Sequence, residues 1–208
     1  MQILVISATA LEIAPFLTGK PTVEHLITGV GAAACVYHLQ KKLQTAPFDL
    51  VIQAGVAGSF ANGPALGETV LVHKEVFADM GVFEKGNFNS VFDLTLADMN
   101  EFPYTQGWLV NDHPLLGEYH LPAVKGVSVN GLSDDANTTA LFGKKYGAEV
   151  ESMEGAAFHY TCLQEKIPFL QLRTVSNVVG ERDKSKWNMK EAIENLNNEL
   201  HALIAHFQ

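Results

Sequence analysis

Two acids and an amide stand where extended runs give way to helical patterns. Glu12 closes Ser7-Ala-Thr-Ala-Leu-Glu12, Glu154 closes Val150-Glu-Ser-Met-Glu154, and Asn177 ends Arg173-Thr-Val-Ser-Asn177. A carboxylate at the tip of a strand can polarise a water as general base, a role worth ~10² to 10⁴ in rate. A second carboxylate can hold a vicinal diol while the thioether of Met153 packs on a sugar face. An asparagine presents an acceptor and a donor side by side, which matches one edge of a heterocycle and opposes its mirror pattern. Together these groups could equip a chain for hydrolysis at a sugar carbon. The same residue types also serve structure: Glu12 and Glu154 as first-turn helix acids, Met153 as core, Asn177 as a turn residue closing a strand.

The elements that must position them can be read from periodicity. Gln2 to Ser7, His25 to Val30, Asp49 to Ala54, Glu68 to Phe77, Ala123 to Asn130, Val150 to Met153 and Pro168 to Asn177 read as strands. Helical spacing covers Ala10 to Leu17, kept short by Pro15 and Gly19, then Gly31 to Leu43, Thr138 to Tyr146, Glu154 to Lys166 and Lys190 to Phe207. Glycines 55, 58, 63 and 67 mark the stretch after Ala54 as a loop. From Ala78 to about Val124 no period holds, and the segment reads as an insertion over a site. Alternating strands and helices predict one domain over residues 1–208, an α/β fold arranged as a three-layer α/β/α sandwich around a central mixed sheet.

Composition narrows the function. The 208 residues carry 14 Lys and Arg against 23 Asp and Glu, a net charge of −9, which disfavours nucleic-acid and membrane-surface partners. No run is apolar enough to cross a bilayer and no cation precedes Lys20, so the expected location is the cytoplasm. The eight histidines are scattered, which predicts no metal site. Gly29-Val-Gly31-Ala-Ala-Ala34 has the outline of a dinucleotide turn, but it follows the second strand and ends in alanine, so no NAD and no other cofactor is expected. Cys35 and Cys162 sit among apolar neighbours as buried thiols.

Ser7–Glu12, Ala54-Gly-Val-Ala-Gly-Ser59, and Val150–Ala156 with Arg173–Asn177 stand in the order and at the spacing of the purine nucleoside phosphorylase and nucleosidase superfamily, which the chain resembles from end to end. Within it, Ser176-Asn-Val-Val-Gly-Glu-Arg-Asp183 with Trp187 is similar to the futalosine hydrolases of menaquinone biosynthesis. The resemblance implies hydrolysis of an N-glycosidic bond in a small-molecule nucleoside by a homo-oligomer, most simply a dimer. Such cleavage needs an oxocarbenium-like ribose, a water beneath its anomeric carbon and a stabilised leaving purine. Glu12 would guide the water, Met153 and Glu154 the ribose, and Asn177 the base, with Ser176 beside it.

Adenine-releasing relatives have an aspartate at the position of Asn177. The amide instead accepts from purine N7–H and donates to O6, which implies a 6-keto base, and a mismatch costs about 1 to 3 kcal/mol. Asp134 or Asp135 would accept from N1–H of that base, and Phe83, Phe88 or Trp187 would stack on it. Val56 departs from the serine usual in the nucleosidases. Phosphate as nucleophile calls for arginine forks, and the chain has only Arg173 and Arg182. Arg173 would orient Glu12 or the water. Arg182, with Trp187, would meet the carboxyphenyl group of futalosine or else be a solvated loop charge. The alternatives are a methylthioadenosine or adenosylhomocysteine nucleosidase, a phosphorylase of inosine or uridine type, and a non-catalytic nucleoside-binding protein.

Overall fold

A computed structural model describes residues 1–208. In chain order the elements are β1 (Ile3–Ser7), α1 (Ala14–Thr18), β2 (Glu24–Ile27), α2 (Ala32–Leu43), β3 (Leu50–Ser59), β4 (Thr69–Glu75), β5 (Gly81–Glu84) and β6 (Asn87–Ser90). They continue as β7 (Tyr104–Thr105), β8 (Trp108–Val110), β9 (Ala123–Ser128), α3 (Ala136–Tyr146), β10 (Val150–Ser152), α4 (Gly155–Glu165), β11 (Phe169–Val178) and α5 (Met189–Phe207).

Nine strands form one mixed sheet with helices on both faces. On one face α1 and α5 bury Phe16, Leu196, Leu200 and Leu203 against Ile3, Val5, Ile52 and Leu170. On the other, α2 and α4 bury Cys35, Leu39, Phe158 and Cys162 against Leu4, Ile6 and Val51. The two central strands β1 and β3 are covered on both sides, which is why they read as unbroken apolar runs. At its far end the sheet closes on itself. β3 pairs with β11, β11 with β4, β4 with β9, β9 with β10, and β10 returns to β3. The ring is filled by small branched side chains, among them Val70, Val72, Val124, Val150 and Val175.

Three expectations change. The glycine-rich stretch after Ala54 is a loop only over residues 60–68, which hold Gly63 and Gly67: β3 runs on through Gly55 and Gly58 to Ser59, parallel to β11 from Val51 to Ser59. The glycines at 55 and 58 leave room for side chains from β11, not for a turn. The second strand ends at Ile27, short of Val30. The segment 78–124 does not cover the site. It forms a β5–β6 hairpin packed on Phe142 and a β7–β8 edge on β4, and none of it lines the cavity described next. No helix is long and apolar enough to cross a membrane.

Candidate active site

The carboxyl ends of β1, β3, β10 and β11 surround a cavity of about 260 Å³. Its wall includes Thr9, Glu12, Val56, Gly58, Met153, Glu154, Ser176, Asn177, Arg182 and Trp187. Residues from distant parts of the sequence meet here because the strands that carry them are neighbours.

Glu12 is held at every turn. Its Oε2 accepts from Thr9 N at 3.0 Å, Thr9 Oγ1 at 2.8 Å and Ser7 Oγ at 3.3 Å, and its Oε1 accepts from Val56 N at 3.1 Å. The turn that carries it is fastened from behind by Asn197 of α5. That side chain donates to the Glu12 carbonyl at 2.8 Å and accepts from Phe16 N at 3.0 Å. The first helix is only five residues long, so Glu12 precedes it in a turn and is not a first-turn helix acid.

Glu154 stands at the first position before α4, where its side chain makes no capping hydrogen bond to the helix, and is buried. Its Oε1 accepts from Gly31 N at 2.8 Å. Gly29 and Gly31 both have φ near +90°, a backbone that other residues rarely adopt, so the glycine-rich turn serves to aim an amide at a carboxylate. Burial raises the Glu154 carboxyl above its ordinary value, opposed by the charge of Arg173 and by the Gly31 N–H, with the Glu12 charge adding to the rise.

Arg173 is 1% exposed and is not part of the cavity wall. It makes no ion pair with Glu12; its Nη1 donates to the Val56 carbonyl at 3.3 Å, while Nε and Nη2 have no partner. A Cβ at Gly55 would collide with Nη1 and lie 3.0 Å from Glu12 Oε1. Arg173 therefore acts on Glu154 through its field and supports the strand behind Val56, and it does not touch the cavity.

Asn177 is half-buried at the end of β11. Its Oδ1 accepts from Ser176 Oγ at 2.9 Å and its Nδ2 donates to the Val178 carbonyl at 2.9 Å. That leaves one lone pair on the oxygen and one N–H on the nitrogen. Val56 lines the cavity with its side chain while its N–H holds Glu12.

The acid expected from the 132–135 loop is not on the wall. Asp134 is exposed and outside the cavity, and Asp135 caps α3, accepting from Thr138 N at 2.8 Å; Leu132 and Ser133 face inward instead. Of the three aromatic candidates, only Trp187 reaches the cavity. Phe83 and Phe88 pack on one another and on Phe142. The guanidinium of Arg182 lies over the Trp187 ring, 5.6 Å from its centroid, and Trp187 Nε1 donates to the Glu181 carbonyl at 2.9 Å. Residues missed from sequence include Glu151, Met189 and Ile193. Met189 and Ile193 are four apart on α5, and Glu151 is two before Met153 in extended chain, spacings that place each pair on one face. Cys35 and Cys162 are inert: burial pushes the first thiol up to about 12 and the second well above its ordinary value.

Residues 11–207 match the family described as the Phosphorylase superfamily. The futalosine hydrolase of Thermus thermophilus is 33% identical, with 97% of this chain and 95% of that protein covered. The futalosine hydrolase of Streptomyces coelicolor is 30% identical, with 81% of this chain and 72% of that protein covered. The 5′-methylthioadenosine/S-adenosylhomocysteine nucleosidase of Helicobacter pylori, solved with butyl-thio-DADMe-Immucillin-A, has the same fold. It superposes with a TM-score of 0.81 at 14% identity, covering 98% of this chain and 97% of that one. With fold and sequence matching over nearly its whole length, the chain belongs to the phosphorylase superfamily, on the side of that family occupied by the futalosine hydrolases.

Proposed function

We propose that this chain hydrolyses the N-glycosidic bond of futalosine, releasing hypoxanthine and dehypoxanthine futalosine, a step of menaquinone biosynthesis. Its likeness to two futalosine hydrolases supports the substrate. The observation that carries the chemistry is the convergence of Glu12, Glu154 and Asn177 on one cavity.

Glu12, fixed by four donors, takes a proton from a water beneath the anomeric carbon. The water oxygen bonds to C1′ as the C1′–N9 bond breaks, and that electron pair leaves with the purine, which gains a proton at N7 from solvent. Glu154 holds the ribose hydroxyls and Met153 packs on the sugar. Asn177 accepts from N7–H with its free lone pair and donates its free N–H to O6, a pairing an adenine would leave half unmet. Ser176 fixes the amide through its hydroxyl. Arg182 and Trp187 receive the aromatic carboxylate at the 5′ end.

Water is favoured over phosphate because of the two arginines in the chain only Arg182 is on the wall, paired with Trp187 and not beside Glu12. The reading takes the 208 residues as one nucleosidase domain, working as a homodimer in the cytoplasm.

The test is to incubate the protein with futalosine, methylthioadenosine and inosine, with and without phosphate, and to follow free base by chromatography. Hypoxanthine from futalosine at a rate independent of phosphate is expected. Adenine from methylthioadenosine alone would make the chain an adenine-releasing nucleosidase, and no base from any substrate would leave a binding protein.

A further inference from the structure

Four acids line the cavity, and three of them are tied down by the protein. Glu12 has four donors, Glu154 has the Gly31 amide, and Glu181 is bound to Lys186 at 2.7 Å. Glu151 is the exception. It is 8% exposed, faces the cavity, and no N–H or hydroxyl of the protein donates to its carboxylate. An unpaired buried carboxylate costs more than an unpaired neutral group, so a side chain left in this state is set up for a donor that arrives with a ligand.

The sheet register says which part of a ligand that is. Gly58 pairs with Glu151 on β10 at one side and with Asn177 on β11 at the other. Residues paired across neighbouring strands point to the same face, and here all three residues line the cavity. Adjacent strands lie about 4.8 Å apart, so the carboxylate and the amide flank a slot two strands wide whose middle position has no side chain. A Cβ at Gly58 would already be 3.4 Å from Asn177 Nδ2 and 3.1 Å from Val179 Cγ2. A planar base edge fits where that side chain would have been. On a 6-keto purine the edge reads N7, then O6, then N1–H. With N7 and O6 on Asn177, the next group along is a donor, and the next side chain along the rung is an acceptor.

We propose that Glu151 is a specificity-determining residue that accepts a hydrogen bond from N1–H of the keto base, completing with Asn177 a three-point reading of its edge. The assignment rests on the keto-base reading above and deepens it. It moves the acid from the 132–135 loop to the sheet. Adenine has a bare acceptor at N1, so the same carboxylate repels it. Burial pushes the Glu151 carboxyl up to about 7, against the pull of Arg182 and with the push of Asp79. A neutral donor in the slot would stabilise its charged form.

The direct test uses the free bases hypoxanthine and 1-methylhypoxanthine, in which a methyl replaces N1–H, titrated calorimetrically at pH 8. The wild-type protein is expected to prefer hypoxanthine by about 10-fold or more. Glu151→Leu should bring the two bases within about threefold of one another, and Glu151→Gln, which keeps a carbonyl acceptor, should restore most of the preference. A wild-type protein that binds both equally, or a Glu151→Leu variant that keeps the full preference, overturns the assignment. Futalosine hydrolysis by the wild-type protein is assayed separately. Its absence alongside a Glu151-dependent preference would overturn the catalytic reading and keep this one, and its presence without that preference would do the reverse.

Discussion

At the scale of single residues, chemistry is divided between a carboxylate that is held and an amide that is half free. Glu12 has no freedom to turn away from the cavity, so removing its charge should abolish base catalysis without disturbing its neighbours. Glu12→Gln is expected to lower kcat by ~10² to 10⁴ with a small change in KM, read in steady-state kinetics on futalosine; an unchanged kcat would remove Glu12 from the reaction. Asn177→Asp should shift the ratio of kcat/KM from futalosine toward its 6-amino analogue by about 10- to 100-fold, since a carboxylate accepts from an exocyclic amine and repels a keto oxygen. An unaltered ratio would show that base choice lies elsewhere. These residues were legible in the sequence through the resemblance, since the segments that carry them stand together in the order of the superfamily's motifs. Asp134 misled because the sequence shows that an acid is near a loop but not which way the loop faces, and Glu151 was hidden in a run already explained by Met153 and Glu154.

At the scale of elements, the site depends on how β3 and β11 approach each other. Most strands and helices could be read from periodicity, since buried parallel strands and amphipathic helices such as α5 leave strong patterns. What could not be read was the extension of β3 through Gly55 and Gly58. Glycines signal close approach as well as turns, and the neighbours that demand them, Arg173, Glu12 and Asn177, are far away in sequence. Ring closure by β10 against Ser59 and Gly58 was invisible for the same reason, as it rests on two paired residues. The insertion was misplaced because loss of period shows irregularity and not location. A methyl at Gly55 would press Arg173 Nη1 out of its seat beside Val56 and Glu12. Gly55→Ala is therefore expected to lower kcat/KM on futalosine at least 10-fold while far-UV circular dichroism stays native. Wild-type kinetics in this variant would mean that the Arg173 position does not matter to Glu12.

For the molecule as a whole, a polar core inside an apolar one gives stability a distinct dependence on pH. Glu75 on β4 is fully buried, accepting from Gln171 Nε2 at 2.9 Å and Ser128 Oγ at 3.2 Å. Burial pushes its carboxyl up to about 7, against the hydrogen bond from Gln171 and the charge of Arg173. Between the ordinary carboxylate value and about 7 the native state keeps a proton that the unfolded chain has released. Glu75 thus favours folding fully below that window and progressively less as pH rises through it, by an amount on the order of 3 kcal/mol. Glu75→Gln should flatten urea-derived stability between pH 5 and 8, and profiles parallel to the wild type would contradict this. The central claim, that the cavity is built to read a keto purine, is tested most directly by a crystal structure of the intact protein with hypoxanthine. The account predicts Asn177 Oδ1 within about 3 Å of N7 and Nδ2 within about 3 Å of O6. A base seated in the cavity with the Asn177 side chain turned away from that edge would contradict it.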